Sequence, residues 1–221
     1  MTQSAHIGLM GKHPAYGDFL SANLSQATAS GLVAWLDSCL PQLRADIGPG
    51  WDGFWDRAQP LRFWVGRAVL GTTLAGILHP SRDKVGRRYP LLLLSEGPAI
   101  LPPLIETDQS PWQQLEAHMA QMTAGAGASA LLENAHISVP AEDPDLSRQG
   151  PTLWAHQSSG SLEDLLAKAA EVDPHRAQLA RSYWWAGAEE GRVPLWLGCQ
   201  GLPDAVSLGW LLAGVAAEES R

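Results

Sequence analysis

LRFWVGRAVLGTTLAGILHPSRDKVGRRYPLLLL, residues 61–94, decides the fold class. Leu61 to Val65 alternates in the manner of a strand. Tyr89 to Leu94 is a continuous apolar run suited to the middle of a sheet. Between them, Val69 to Leu78 is a further strand candidate, broken by Gly71 and Gly76. The gaps are short and turn-like. Parallel neighbours need a long crossover, so these strands are predicted to pair antiparallel.

Outward from this stretch, strand and helix patterns mix. His6 to Met10 reads as a strand that runs into the turn-rich Gly11 to Gly17. In Gln26 to Ile47, Leu32, Trp35, Leu36, Cys39, Leu40 and Leu43 recur at helical spacing. Pro41 should end or kink that helix, and Pro49-Gly50 should stop it. Trp51 and Trp55 fall on one face of a short second helix. Towards the C-terminus, Pro111 to Met122 predicts a helix with its proline in the first turn. Leu131 to Val139 is mixed, and Thr152 to His156 is a weak strand. Ser161 to Ala170 is a short helix capped by Ser161, with Asp164 at the capping-box position. Ser182 to Ala186 and Pro194 to Cys199 are two more strands, joined by the turn-like Glu189-Glu190-Gly191, and Asp204 to Ala217 is a last helix. Gly97 to Pro111 and Val139 to Gln149 read as surface loops, because neither flank looks self-sufficient. The expectation is α+β: a single domain over residues 1–221, mainly an antiparallel β-sheet with α-helices packed on its faces.

Composition narrows the function. Charged residues are only 17% of the chain, while apolar residues reach 45%, which excludes a long disordered protein. A net charge of −8 disfavours nucleic-acid binding, whose usual footprint is a basic face. No run of about 20 apolar residues exists, so no membrane insertion is expected. The N-terminus shows no secretory pattern, which predicts a cytoplasmic protein. Cys39 and Cys199 make no metal-ligand spacing and read as small buried hydrophobes in a reducing compartment. The ten tryptophans are the oddity, and most should be core. Trp184 and Trp185 are adjacent, so on a strand they point to opposite faces. Both are expected to be buried, with the sheet covered on both sides. The competing role for one of them is a partner anchor.

The sequence offers no catalytic set. Gly11-Lys12 supplies half of a phosphate-binding loop, but His6 and His13 stand where a glycine and a hydroxyl residue are needed. Ser158-Ser159-Gly160 lacks the leading glycine of a hydrolase elbow. No histidine pair has zincin spacing, and no cofactor or metal is expected. Two polar stretches remain. Gly11-Lys12-His13-Pro14-Ala15-Tyr16-Gly17-Asp18-Phe19 is a tight turn or a recognition loop: two glycines for unusual φ, and Asp18 bonding its own backbone. In residues 80–90, Arg82, Lys84, Arg87 and Arg88 gather in an acidic protein. They either pair with carboxylates such as Asp18 or Asp83 or receive an anion or acidic partner. The two loops are expected side by side, with Asp18 near Arg87 or Arg88.

These stretches, in this order, resemble the TagF family, associated with bacterial type VI secretion. Gly11, Lys12, Pro14, Gly17, Asp18 and Phe19 match its opening Gly-Lys-x-Pro-x-x-Gly-Asp-Phe pattern. Trp35 and Arg62-Phe63-Trp64 meet its second mark. The most specific mark, Pro-Ser-x-Asp-x-Val-Gly-Arg-Arg-aromatic-Pro-Leu, is filled by Pro80, Ser81, Asp83, Val85, Gly86, Arg87, Arg88, Tyr89, Pro90 and Leu91. Ser182-Tyr183-Trp184-Trp185 and Gly201-Leu202-Pro203-Asp204 resemble its closing signatures. His13, where the family would have leucine, is a departure. The resemblance implies a cytoplasmic, non-enzymatic, post-translational repressor of type VI secretion. Its partner would be a forkhead-associated scaffold component within a Ser/Thr kinase–phosphatase pathway. The alternative is a small anion- or ligand-binding domain or enzyme built on the Arg82–Arg88 loop, and a structural component of the apparatus is a third reading.

Overall fold

The computed structural model describes residues 2–97, 100–140, 156–188 and 191–217. The strands are β1 (Thr2–Ala5), β2 (Ile7–Gly11), β3 (Leu20–Ala22), β4 (Leu61–Val65), β5 (Leu74–His79), β6 (Leu91–Glu96), β7 (Ile137–Pro140), β8 (Arg181–Ala186), β9 (Arg192–Val193), β10 (Leu195–Gln200) and β11 (Val215–Ala216). The helices are α1 (Gln26–Ile47), α2 (Trp51–Asp56), α3 (Arg67–Leu70), α4 (Ser110–Gln121), α5 (Leu162–Ala177) and α6 (Ala205–Ala213). Seven strands form one antiparallel sheet in the order β10-β8-β4-β5-β6-β2-β3. Residues 61–94 supply three adjacent inner strands, with Phe63 opposite Gly76 and Gly76 opposite Leu94. The architecture is the α+β class expected.

Strand residues alternate between two apolar cores. Leu61, Phe63, Val65, Leu78, Leu92 and Trp184 face α1, α2 and α6. Trp64, Ile77, Leu91, Leu93, Tyr183 and Trp185 face α4 and the segment that leads into β7. Both faces are covered, which is why the inner strands read as apolar runs rather than as clean alternation. Trp184 is 0% exposed and Trp185 8%, so both adjacent indoles are buried. Among the described residues, Trp35, Trp51, Trp55, Trp64 and Trp112 are buried with them, whereas Trp196 and Trp210 are exposed.

Several boundaries differ from expectation. Helix α1 continues through Pro41 to Ile47. Pro41 and Asp37 lie on its solvent side, where water can take the place of the missing N–H at the Asp37 carbonyl. Burial of Leu36, Cys39, Leu40 and Leu43 carries the opposite face past the break. Val69 and Leu70 belong to the helical turn α3, which ends at Gly71 with φ 83°. The strand therefore starts only at Leu74, and Gly76 does not break it. A Cβ at Gly76 would sit 2.6 Å from the Leu93 carbonyl and 2.7 Å from the Phe63 ring, so the glycine admits a close approach. Helix α5 outlasts its predicted end at Ala170. Ser161 and Asp164 exchange the two capping-box hydrogen bonds at 3.0 and 3.1 Å. The last helix stops at Ala213, because Gly214, at φ 71°, turns the chain into β11. Of the strand expected at Thr152 to His156 only His156 is described, and it is in no strand; the Glu189-Glu190 turn and most of the Val139 to Gln149 loop lie outside the described residues. No helix among the described residues is long and apolar enough to cross a membrane.

Candidate functional site formed by two motif loops

The opening loop and the basic loop lie side by side, but the carboxylate that joins them is Asp83. Its side chain is fully buried and takes Lys12 Nζ at 3.0 Å and Arg87 Nε at 2.6 Å. Its other oxygen accepts the backbone N–H groups of Val85 and Arg87 at 3.1 and 2.8 Å. Burial opposes ionisation here. The Arg87 N–H, the Lys12 ammonium and the Arg87 guanidinium outweigh it and hold the carboxyl well below the usual carboxylate range. Asp18 is exposed and makes no ion pair among the described residues, so it does not pair with Arg87 or Arg88, although Arg87 reaches the carbonyl of the neighbouring Gly17. Asp18 does not bond its own backbone either; that local role also falls to Asp83. The physical reason is position. Asp83 sits inside the hairpin whose N–H groups need an acceptor, whereas Asp18 sits on an open turn.

Backbone contacts complete the joint. Arg87 Nη2 donates to the Gly17 carbonyl at 2.5 Å, and the Lys84 N–H donates to the Tyr16 carbonyl at 2.8 Å. Gly11 has φ 124°, and a Cβ there would collide with the Pro90 carbonyl. Gly17 needs no such freedom: it is absent from the positive-φ glycines, and a Cβ there would meet open space. Its carbonyl, not its conformation, ties it to Arg87. Gly86, at φ 90°, makes the tight turn of the basic loop. Ser81 accepts the Trp55 indole N–H on its carbonyl at 2.8 Å, and Arg88 spans to Asp52 and Asp56 of α2 at 2.9 and 3.0 Å. Tyr89 sits edge-on to Phe19 and donates to Asp37 of α1. Burial, and then the neighbouring Asp37 charge, push its phenol up.

The joined loops form one hydrogen-bonded platform. Arg88 is largely covered and held by two carboxylates, which takes it from the anion site considered for this loop, whereas Arg87 pairs with Asp83 but keeps most of its side chain exposed. What the platform presents outward is Phe19, Lys84, Val85 and Arg87, with Val85 71% exposed. Pro14 is exposed on the opening loop and lines a second groove with His13 and Arg82. Trp184 and Trp185 are not brought to this platform; they belong to the two cores. The Trp184 indole donates to Ser182 Oγ at 2.8 Å, and that hydroxyl donates to the Gly201 carbonyl at 2.6 Å. Trp35 donates to the Pro203 carbonyl at 2.7 Å, and Asp204 caps α6 through the Ser207 N–H. The closing motifs are thus one internal knot. Both cysteines touch it. Cys39 is buried, but Cys199 is only half-buried, contrary to expectation, and both are free.

Sequence reading named Arg62 only within the family's second mark, gave it no partner, and missed Gln109. Arg62 holds Glu116 of α4 bidentately at 2.7 and 2.8 Å, and Gln109 Oε1 accepts from both Arg62 and the Trp185 indole. Arg62 is a charged residue in a strand that is otherwise apolar on both faces, which is the signal that points to a partner.

The platform residues fall within the span of a family model. Residues 8–137 match the TagF N-terminal domain, described as type VI secretion system-associated. The chain belongs to the TagF N-terminal domain family. Its members are type VI secretion system-associated proteins, and the two motif loops lie inside the family's matched region. The crystal structure of PA0076 from Pseudomonas aeruginosa PAO1 has the same fold. It superposes with a TM-score of 0.69 over 97% of each chain, at 23% identity. No curated protein matches the sequence.

Proposed function

We propose that this TagF-family protein is a cytoplasmic, non-catalytic repressor of type VI secretion that acts by binding a forkhead-associated scaffold component. Membership of a secretion-associated family supports the secretion half of the reading. One observation carries the binding half: buried Asp83 clamps Lys12 and Arg87 so that Phe19, Val85 and the outer part of Arg87 are held out to solvent on a fixed frame. A pre-organised surface with exposed apolar and guanidinium groups favours protein association, because little side-chain freedom is left to lose on docking. The test is a pull-down from host lysate with and without the forkhead-associated protein. Retention of that protein by the parent and its loss with Val85→Glu is the expected result. Equal recovery of every apparatus component, with no preference for the forkhead-associated protein, counts against it.

A further inference from the structure

Beside the platform, a groove of about 970 Å³ runs between the solvent side of α1 and the tip of the basic loop. Pro41, Ala45 and Trp51 give it an apolar floor, and Val85 forms its lip. Its charged lining is Arg44, Arg87 and Arg88 against Asp37 and Asp52. Asp52 is paired with Arg88 at 2.9 Å, whereas Asp37 accepts only the neutral Tyr89 hydroxyl at 3.3 Å and keeps its charge. Among the described residues, Arg44 and the adjoining exposed Lys84 make no ion pair, and the Arg87 side chain stays 60% exposed. In a chain of net charge −8, Arg44 and Lys84 thus stand as unpaired cations beside this apolar floor, against the one unpaired carboxylate of Asp37. Such cations steer and select a partner of opposite sign, while the floor supplies desolvation.

We propose that this groove docks an acidic amphipathic segment of a partner protein, its apolar side chains against Pro41, Ala45 and Val85 and its carboxylates towards Arg44, Lys84 and Arg87. The proposal rests on the protein-binding reading above and names the partner's chemistry. The test uses the full chain in its own host, with photo-crosslinking benzoylphenylalanine at exposed Ala45 and, as control, at exposed Ala213 on α6. The expected adduct at Ala45 maps to a partner segment that carries several carboxylates beside apolar residues. Its yield should fall about tenfold with Arg44→Glu plus Lys84→Glu, both exposed positions that leave the melt unchanged. An adduct to a second copy of this chain, to a segment without carboxylates, or at Ala213 alone overturns the proposal, as does an unchanged yield in the double variant. The two readings fail separately. Secretion unaltered by deletion of the chain defeats repression while the adduct stands. Repression kept by the double variant, with an unchanged adduct, defeats the groove alone.

Discussion

Asp83 is where residue chemistry decides the most. It accepts from Lys12, Arg87 and two backbone N–H groups, and so fixes the geometry of both loops. Asp83→Asn should lower Tm by several degrees at pH 7, because two cations lose their counter-charge. The pH dependence follows from the lowered folded-state pKa. A carboxyl held below its unfolded value of about 3.9 stabilises fully above that value and less as pH falls towards the folded one. The Tm gap between parent and variant should therefore be flat from about pH 7 to 5 and narrow below about pH 4. A gap that persists unchanged to about pH 3 contradicts this. At Trp184, alanine removes an indole buried between Trp35 and Phe63, with ring centroids 5.1 and 4.9 Å away. The cost should be roughly 3–5 kcal/mol by urea melt. A Trp184 variant that melts like the parent would mean the inner face is not packed as described.

Elements show how local rules meet tertiary context. The inner strands were legible because runs such as Leu91 to Leu94 are apolar at every position, and the helix Gln26 to Ile47 because its apolar spacing is regular. Pro41 misled because a sequence shows a missing N–H but not which side of the helix faces water. Gly76 misled for the opposite reason: a glycine in a strand looks like a break, and only the Phe63 ring above it shows the space it leaves. Two substitutions test these accounts. Pro41→Ala restores an N–H to the Asp37 carbonyl and should raise stability by about 1 kcal/mol or more, less than the full helix penalty because the freer unfolded chain offsets it. Gly76→Ala forces Phe63 or the Leu93 backbone to move and should cost about 1–3 kcal/mol. Unchanged urea midpoints in either variant would contradict the corresponding account.

Across the whole molecule, the motifs that carry the resemblance divide by task. The closing motifs tie α1, β8 and α6 together inside the fold, and the opening and basic motifs build the exposed platform. That division was hidden in the sequence. Asp18 and Asp83 are both acidic residues in turns, and burial alone separates the structural one from the solvent-exposed one. The site's existence was legible from clustered Arg and Gly residues; its internal pairing was not, because Lys12 and Asp83 stand 71 positions apart. The most direct measurement of the central claim is the amount of the apparatus's tube protein secreted by the host with the chain deleted, native and overexpressed. The account predicts more secretion on deletion and less on overexpression, with the apparatus expressed equally in all three strains. Secretion that is the same in all three would contradict it.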